Sequence, residues 1–155
     1  MINVISKDIS MLEKAIIGAT MLHMGQLDKA EKPYILHPMR VMMSLWKEGQ
    51  SEEVLCAALL HDVIEDCGST RETLLEMGFH MSVVDMVDLV SRRKDQSYTD
   101  YVSRIKESGN KGAISIKLAD LNDNMSPIRM SALPASAQTS LMKRYTRAVD
   151  TLVRP

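Results

Sequence analysis

Apolar positions along the chain recur at helical spacing, and nowhere does a two-residue alternation run long enough to predict a strand. Met11, Leu12, Ala15, Ile16, Ala19 and Leu22 share one face of a first predicted helix near 8–25, which Ser6 or Asp8 can cap and Gly25 ends. The polar stretch 26–36 contains Pro33 and reads as a loop. Pro38 suits the first turn of a second helix, about 38–48, closed by Gly49. Ser51 starts a third, about 51–64, and its segment VLCAALLHDVI is apolar nearly all round, the mark of a helix buried in the centre. After the break Gly68-Ser69-Thr70 comes a short helix, about 70–77, capped by Ser69 or Thr70 and ended by Gly78. Amphipathic helices follow at 82–92 and 98–107 with a turn at 95–97. An apolar helix at 113–124 stops before Pro127, and a last helix at about 135–153 puts Leu141, Tyr145, Ala148 and Leu152 on one face. The pattern predicts an all-α bundle, a single domain over 1–155.

Composition narrows the picture. The chain has 155 residues, 45% of them hydrophobic, enough for a core without staples. Aromatics make up only 4%, whereas 13 residues are Met, a side chain that fills irregular gaps between helices. A net charge of −1 provides no global field for nucleic acid or an anionic membrane. Cys56 and Cys67 are too few for a disulfide framework and read as reduced thiols. The N-terminal stretch has no signal-peptide core, and no apolar run nears the ~20 residues of a membrane helix. A cytoplasmic protein is expected, with homo-oligomerisation open.

The chemistry concentrates at His61-Asp62, near the end of the most apolar helix. A carboxylate there is costly to bury without an opposite charge, and a metal ion supplies one while accepting both ligand types. Adjacent helical residues are offset by about 100°, yet converge on an ion at the helix edge. His37, at a loop-to-helix junction before Pro38, and Asp120, ending the apolar run AISIKLAD, are the candidates to complete the set. Two His and two Asp with open positions suit Mn, Fe, Zn or Mg-like ions, with Mn or Fe more natural than a structural Zn. Glu65 and Asp66 follow His61 by about one turn and are expected in the same cleft, where they could orient a water or take its proton. The plainer reading is a helix ending in solvated acids. His23 and His80 are expected to carry no chemistry.

The order H…HD…D resembles the HD-domain metal-dependent phosphohydrolases. The blocks HMGQLDKAEKPYILHPMRV, AALLHDVIEDCGST and IKLADLNDNM, spanning about 23–125, resemble more closely the hydrolase domain of Rel/SpoT-type alarmone enzymes and their small stand-alone relatives. The resemblance implies that His37, His61, Asp62 and Asp120 hold one ion, most naturally Mn2+, with Fe, Co, Mg or Zn as alternatives. It implies that Glu65 and Asp66 position or activate the attacking water. It also implies substrate contacts from Lys29, Lys32, Tyr34 and Asn124, and from Arg92, Lys94, Tyr98 and Arg104. The implied reaction removes pyrophosphate from the 3′ position of (p)ppGpp. Another phosphorylated nucleotide (a nucleoside monophosphate, a dNTP or NADPH) and a non-catalytic nucleotide-binding module are the alternatives. Alarmone synthesis is not expected, for want of room. The chain departs from the family at Asp28, where a basic residue is usual, at Glu31, where a glycine is usual, and at Leu121, Asn122 and Asp123. All of these are expected to shape the nucleotide pocket rather than the metal site.

Overall fold

The computed structural model describes residues 9–155 and contains ten helices among them. They are α1 (Met11–Leu22), α2 (Leu36–Lys47), α3 (Glu52–Leu60), α4 (Val63–Cys67), α5 (Arg71–Glu76), α6 (Met81–Val90), α7 (Tyr98–Glu107), α8 (Lys111–Asn124), α9 (Pro127–Met130) and α10 (Ala135–Val153). The described residues contain no strand, only an isolated bridge between Leu27 and Pro33. No helix among them is long and apolar enough to cross a membrane.

α3 is the axis of the fold. Every residue from Val54 to Leu60 is buried, and α1, α2, α6 and α8 pack around it. A helix apolar on all sides has no face to offer water, so its neighbours must surround it. Each fully buried leucine such as Leu59 or Leu60 contributes about 1.5–3 kcal/mol.

Local chemistry sets the boundaries. The expected caps Ser6 and Asp8 lie outside the described residues. α1 instead starts at a capping box in which the Glu13 N–H donates to the Ser10 hydroxyl and the Ser10 N–H to the Glu13 carboxylate. α2 begins at Leu36, which puts His37 in its first turn rather than ahead of it. Asn110 accepts from the Ala113 N–H, so α8 starts two residues before the expected 113. α9, one turn long with Pro127 in its first turn, was not expected from the pattern.

The expected single helix over 51–64 is interrupted. α3 stops at Leu60, His61 and Asp62 form a turn, and α4 resumes at Val63. The His61 Nδ1–H donates to the Ala58 carbonyl at 2.6 Å. That is the carbonyl an unbroken helix would bring to the Asp62 N–H, so the side chain competes with the helical ladder at this step.

The loop between α1 and α2 is built by Asp28. Its Oδ1 accepts from the Ala30 and Lys32 N–H groups at 2.8 and 2.9 Å. The loop closes through Glu31, the one non-glycine among the described residues with positive φ, at 60°. A side chain there costs about 1–2 kcal/mol, which glycine avoids at an unfolded-state entropy cost of roughly 0.5–1 kcal/mol. Glu31→Gly is therefore expected to stabilise the protein by about 0.5–1 kcal/mol. Urea unfolding checks this, and a lower midpoint in the variant would contradict the strained-loop account.

Candidate functional site

Two helices and one turn bring the candidate ligands together. His37 comes from the first turn of α2, His61 and Asp62 from the α3–α4 turn, and Asp120 from the end of α8. His61 Nε2 lies 3.0 Å from Asp62 Oδ2 and 3.6 Å from Asp120 Oδ1. His37 Nε2 lies 3.1 Å from Asp120 Oδ1 and 3.6 Å from Asp62 Oδ2. Ligand atoms of His37, His61 and Asp62 all fall within 4.8 Å of one another, and Asp120 joins them through the two imidazoles. His37 and His61 are almost wholly buried and Asp120 is 5% exposed.

The donor set fits a divalent cation. Each imidazole spends its Nδ1–H outside the cluster, His61 on the Ala58 carbonyl and His37 on Asp123 Oδ2 at 2.6 Å. Both Nε2 atoms then present lone pairs inward, opposite two carboxylates that also offer only lone pairs. His61 Nε2 is buried and has no aligned hydrogen-bond partner despite its short distance to Asp62. Acceptors facing acceptors repel unless protons or a cation stand between them. Mixed nitrogen and oxygen donors suit ions of the Mn, Fe, Co or Zn kind.

The electrostatics report the same strain. Burial alone would raise the Asp62 and Asp120 carboxyls. The His61 and His37 rings together outweigh it for Asp62, and Lys117 with both imidazoles for Asp120, so both stay below the usual carboxylate range. Burial would lower the His61 imidazole, but the Asp62 and Asp120 carboxylates push it well above its ordinary value. Lys117 is itself buried. Its Nζ donates to Asp120 Oδ2 at 2.7 Å and stands 5.1 Å from the Tyr101 ring centroid and 5.9 Å from that of Tyr98. Burial would lower its ammonium group, and Asp120 reverses that.

Surrounding side chains hold the ligands in place. Tyr34 donates its hydroxyl to Asp62 Oδ2 at 2.6 Å and packs between His23 and His37. Burial and the Asp62 charge push this phenol far above its usual range. Asn124 Nδ2 donates to Asp120 Oδ1 at 2.8 Å. Asp123 grips His37 from behind while Arg40 grips Asp123 through Nε at 2.7 Å and a second N–H at 3.1 Å. The hydrogen bonds from His37 and Arg40 overcome partial burial and hold the Asp123 carboxyl at about 2.

The remaining expected residues divide. Glu65, Arg92, Tyr98, Tyr34 and Asn124 line one cavity of about 180 Å³ with His37, Asp62 and Asp120. Glu65 Oε1 accepts from the Arg92 N–H at 2.5 Å, and burial pushes its carboxyl up despite that bond. The Tyr98 hydroxyl is buried without a partner. Asp66 does not share this cavity. One residue further round α4, it turns to the α1–α2 loop and accepts from Gln26 Nε2 at 3.0 Å. Arg104 also turns away, donating to the Ser91 carbonyl at 2.7 Å and so holding the 91–97 turn. Lys29 lines a neighbouring cavity with Asn124, Arg129 and Tyr145, Lys32 stands exposed on the loop, and Lys94 lines a groove beside Glu65. Asp123 and Leu121 depart from the expectation that they shape the pocket: Asp123 holds the His37 ring, a candidate metal ligand, and Leu121 is fully buried in the core.

Several residues had no role in the sequence reading. Lys117 sits three residues before Asp120 inside an apolar run, and that spacing is the signal that could have marked it. Arg40, three residues after His37, lies on the same helix face. Arg144 and Tyr145 of α10 reach the cavity from far along the chain, with no local signal. His23, expected to be inert, is buried at the end of α1, with Nδ1 2.7 Å from Gln26 Oε1 and 3.4 Å from Cys67 Sγ.

Because Asp123 fixes the His37 tautomer, Asp123→Asn is expected to weaken Mn2+ binding by about 10–100-fold. Calorimetric titration of the metal-free variant tests this, and unchanged affinity would refute the orienting role.

Comparison with known proteins follows the same geometry. The family described as HD domain matches residues 15–145. A guanosine-3′,5′-bis(diphosphate) 3′-pyrophosphohydrolase of Vibrio cholerae is 36% identical over 126 residues, covering 76% of this chain and 18% of that protein. The bifunctional (p)ppGpp synthase/hydrolase SpoT of Escherichia coli K12 is 35% identical, with the same coverage of both. A GTP pyrophosphokinase of Myxococcus xanthus is 31% identical over 130 residues, 76% of this chain and 17% of that protein. The chain thus spans less than a fifth of the length of these relatives. A solved structure described as a metazoan ortholog of SpoT that hydrolyzes ppGpp superposes with a TM-score of 0.82 at 25% identity, covering 96% of this chain and 88% of that one.

Proposed function

This chain belongs to the HD-domain family, and from that premise we propose that it is a metal-dependent phosphohydrolase acting as a (p)ppGpp 3′-pyrophosphohydrolase, with 1–155 read as one catalytic domain. The observation that carries the reading is the convergence of His37, His61, Asp62 and Asp120 around two inward-facing Nε2 atoms, with Glu65 in the same cavity. The names of the similar proteins support the substrate.

His37, His61, Asp62 and Asp120 would hold the ion, with Mn2+ the preferred species. When bound, it supplies Lewis-acid polarisation to a phosphoryl oxygen and to a water molecule. Glu65 receives the proton of the attacking water. Burial raises its affinity for that proton, and the Arg92 N–H engages one carboxylate oxygen and leaves the other to the cavity. Tyr34 and Asn124 keep Asp62 and Asp120 oriented, while Arg92 and Arg144 face developing phosphate charge from the cavity wall. Lys29, beyond Asn124, reaches the far phosphates or the base. Asp66 is a positioning residue. It ties Gln26, and through it His23 and Tyr34, behind Asp62. A cytoplasmic location belongs to the same reading and is supported by the two free thiols.

Asp28 favours a second reading. Its carboxylate is spent on the loop backbone where the family resemblance implies a basic residue, which weakens the hold on a bis(diphosphate) and leaves room for another phosphorylated nucleotide.

Mn2+-loaded protein incubated with ppGpp, pppGpp, NADPH, dNTPs and nucleoside monophosphates separates the two readings. Pyrophosphate released from ppGpp and pppGpp alone supports the first. Orthophosphate from the other nucleotides supports the second. Glu65→Gln is expected to lower kcat by about 10²–10⁴-fold, the range of a general base. Asp66→Asn should lower it by only about tenfold. Equal losses in the two variants would overturn the assignment of separate roles.

A further inference from the structure

Between α7 and α10 lies a cavity of about 330 Å³, of whose lining the proposed hydrolytic chemistry uses only Tyr98 and Arg144 on the wall shared with the catalytic cavity. Ser140, Lys143, Arg147 and Thr151 recur at helical spacing and form one face of α10 along its wall. Its floor is apolar, made by Val102 and Ala148, each 3% exposed. Its rim carries three cations, Lys143, Arg144 and Arg147, with the hydroxyls of Thr99, Ser140 and Thr151, and no carboxylate lines it.

The three cations form no ion pair among the described residues, where the paired arginines and lysines are Arg40, Arg71 and Lys117. Lys143 and Arg147 stand four residues apart on the helix and repel each other. In a chain of net charge −1 this concentration is local, not a consequence of a basic protein. A bound anion would relieve the repulsion, and guanidinium groups match phosphate oxygens in pairs. An apolar floor under a cationic rim, in a cavity of this size, suits a ligand with an organic body and phosphate groups.

We propose that this seam is a second ligand site, taking a nucleoside di- or triphosphate. Its phosphates lie on Lys143, Arg144 and Arg147 and its nucleoside on Val102 and Ala148. Tyr98 and Arg144 line both this cavity and the catalytic one, with the Arg144 guanidinium 5.4 Å from the Tyr98 ring centroid, so the two sites share a wall. The binding itself is independent of which reaction the catalytic cavity performs.

Backbone amide NMR of the metal-free protein, titrated with GDP and separately with inorganic pyrophosphate, tests the site. GDP is expected to shift Thr99, Val102, Ser140 and Thr151 saturably and to bind more tightly than pyrophosphate. The variant Lys143→Ala/Arg147→Ala, altered only at exposed positions, should keep the thermal midpoint and bind GDP at least about tenfold more weakly at these residues. Shifts confined to the surroundings of Tyr34, Glu65 and Asn124 would overturn the proposal. So would undiminished GDP binding in the double variant, or pyrophosphate binding as tightly as GDP.

Discussion

Two carboxylates, Asp62 and Asp120, are held inside a helical core with their oxygens turned toward two imidazole lone pairs. Burying such charges is costly unless each is matched by an opposite charge or a strong donor, and most of the polar structure around them answers that cost. Lys117 is buried to neutralise Asp120 from one side, and Tyr34 gives its hydroxyl to Asp62 from the other. Asn124 completes Asp120, and Asp123 with Arg40 fixes the ring that faces both carboxylates. Removing either partner of the buried Lys117–Asp120 pair would leave an uncompensated charge costing about 3–5 kcal/mol, so the pair is conditional on the site rather than a source of stability. A cation at the centre, like a proton on an imidazole, removes the facing of acceptor against acceptor.

The same constraint shapes the backbone. Two neighbouring residues on an ideal helix point about 100° apart. The interruption after Leu60, reinforced by the His61 ring on the Ala58 carbonyl, lets His61 and Asp62 converge to 3.0 Å. The restart at Val63 aims the next acids in different directions. Glu65 enters the cavity and Asp66 faces the α1–α2 loop, which divides the two between proton transfer and support. That loop carries its own cost at Glu31, offset by the bonds Asp28 makes to its backbone. Asp28 therefore has a structural duty in the loop beside the cavity.

Much of this was legible in the residues in order. Helical periodicity, caps and glycine stops marked the all-α class and most helix cores, because these signals are local and act within a turn or two. The uninterrupted apolarity of Val54–Leu60 marked the central helix, since a segment with no polar face must be enclosed. The spaced His37, His61-Asp62 and Asp120 marked a candidate metal site, because few other arrangements make buried acids and imidazoles tolerable together. What stayed hidden depended on contacts across the chain. The break after Leu60 follows from a side chain competing for a carbonyl, which apolar patterning does not register. Whether Glu65 or Asp66 enters the cleft depends on where α4 restarts. Asp123 and Leu121 lie two residues apart on α8, yet one orients His37 of α2 and the other fills the core, because they point from the helix in different directions. Arg144 and the cationic seam along α10 exist as a site only once α7 lies beside it. Residue chemistry and local spacing thus determined the helices and the kind of centre they could build. Only packing decided which charges are buried, which donors meet them and which acids share a cavity, since those outcomes rest on distances between segments far apart in the chain.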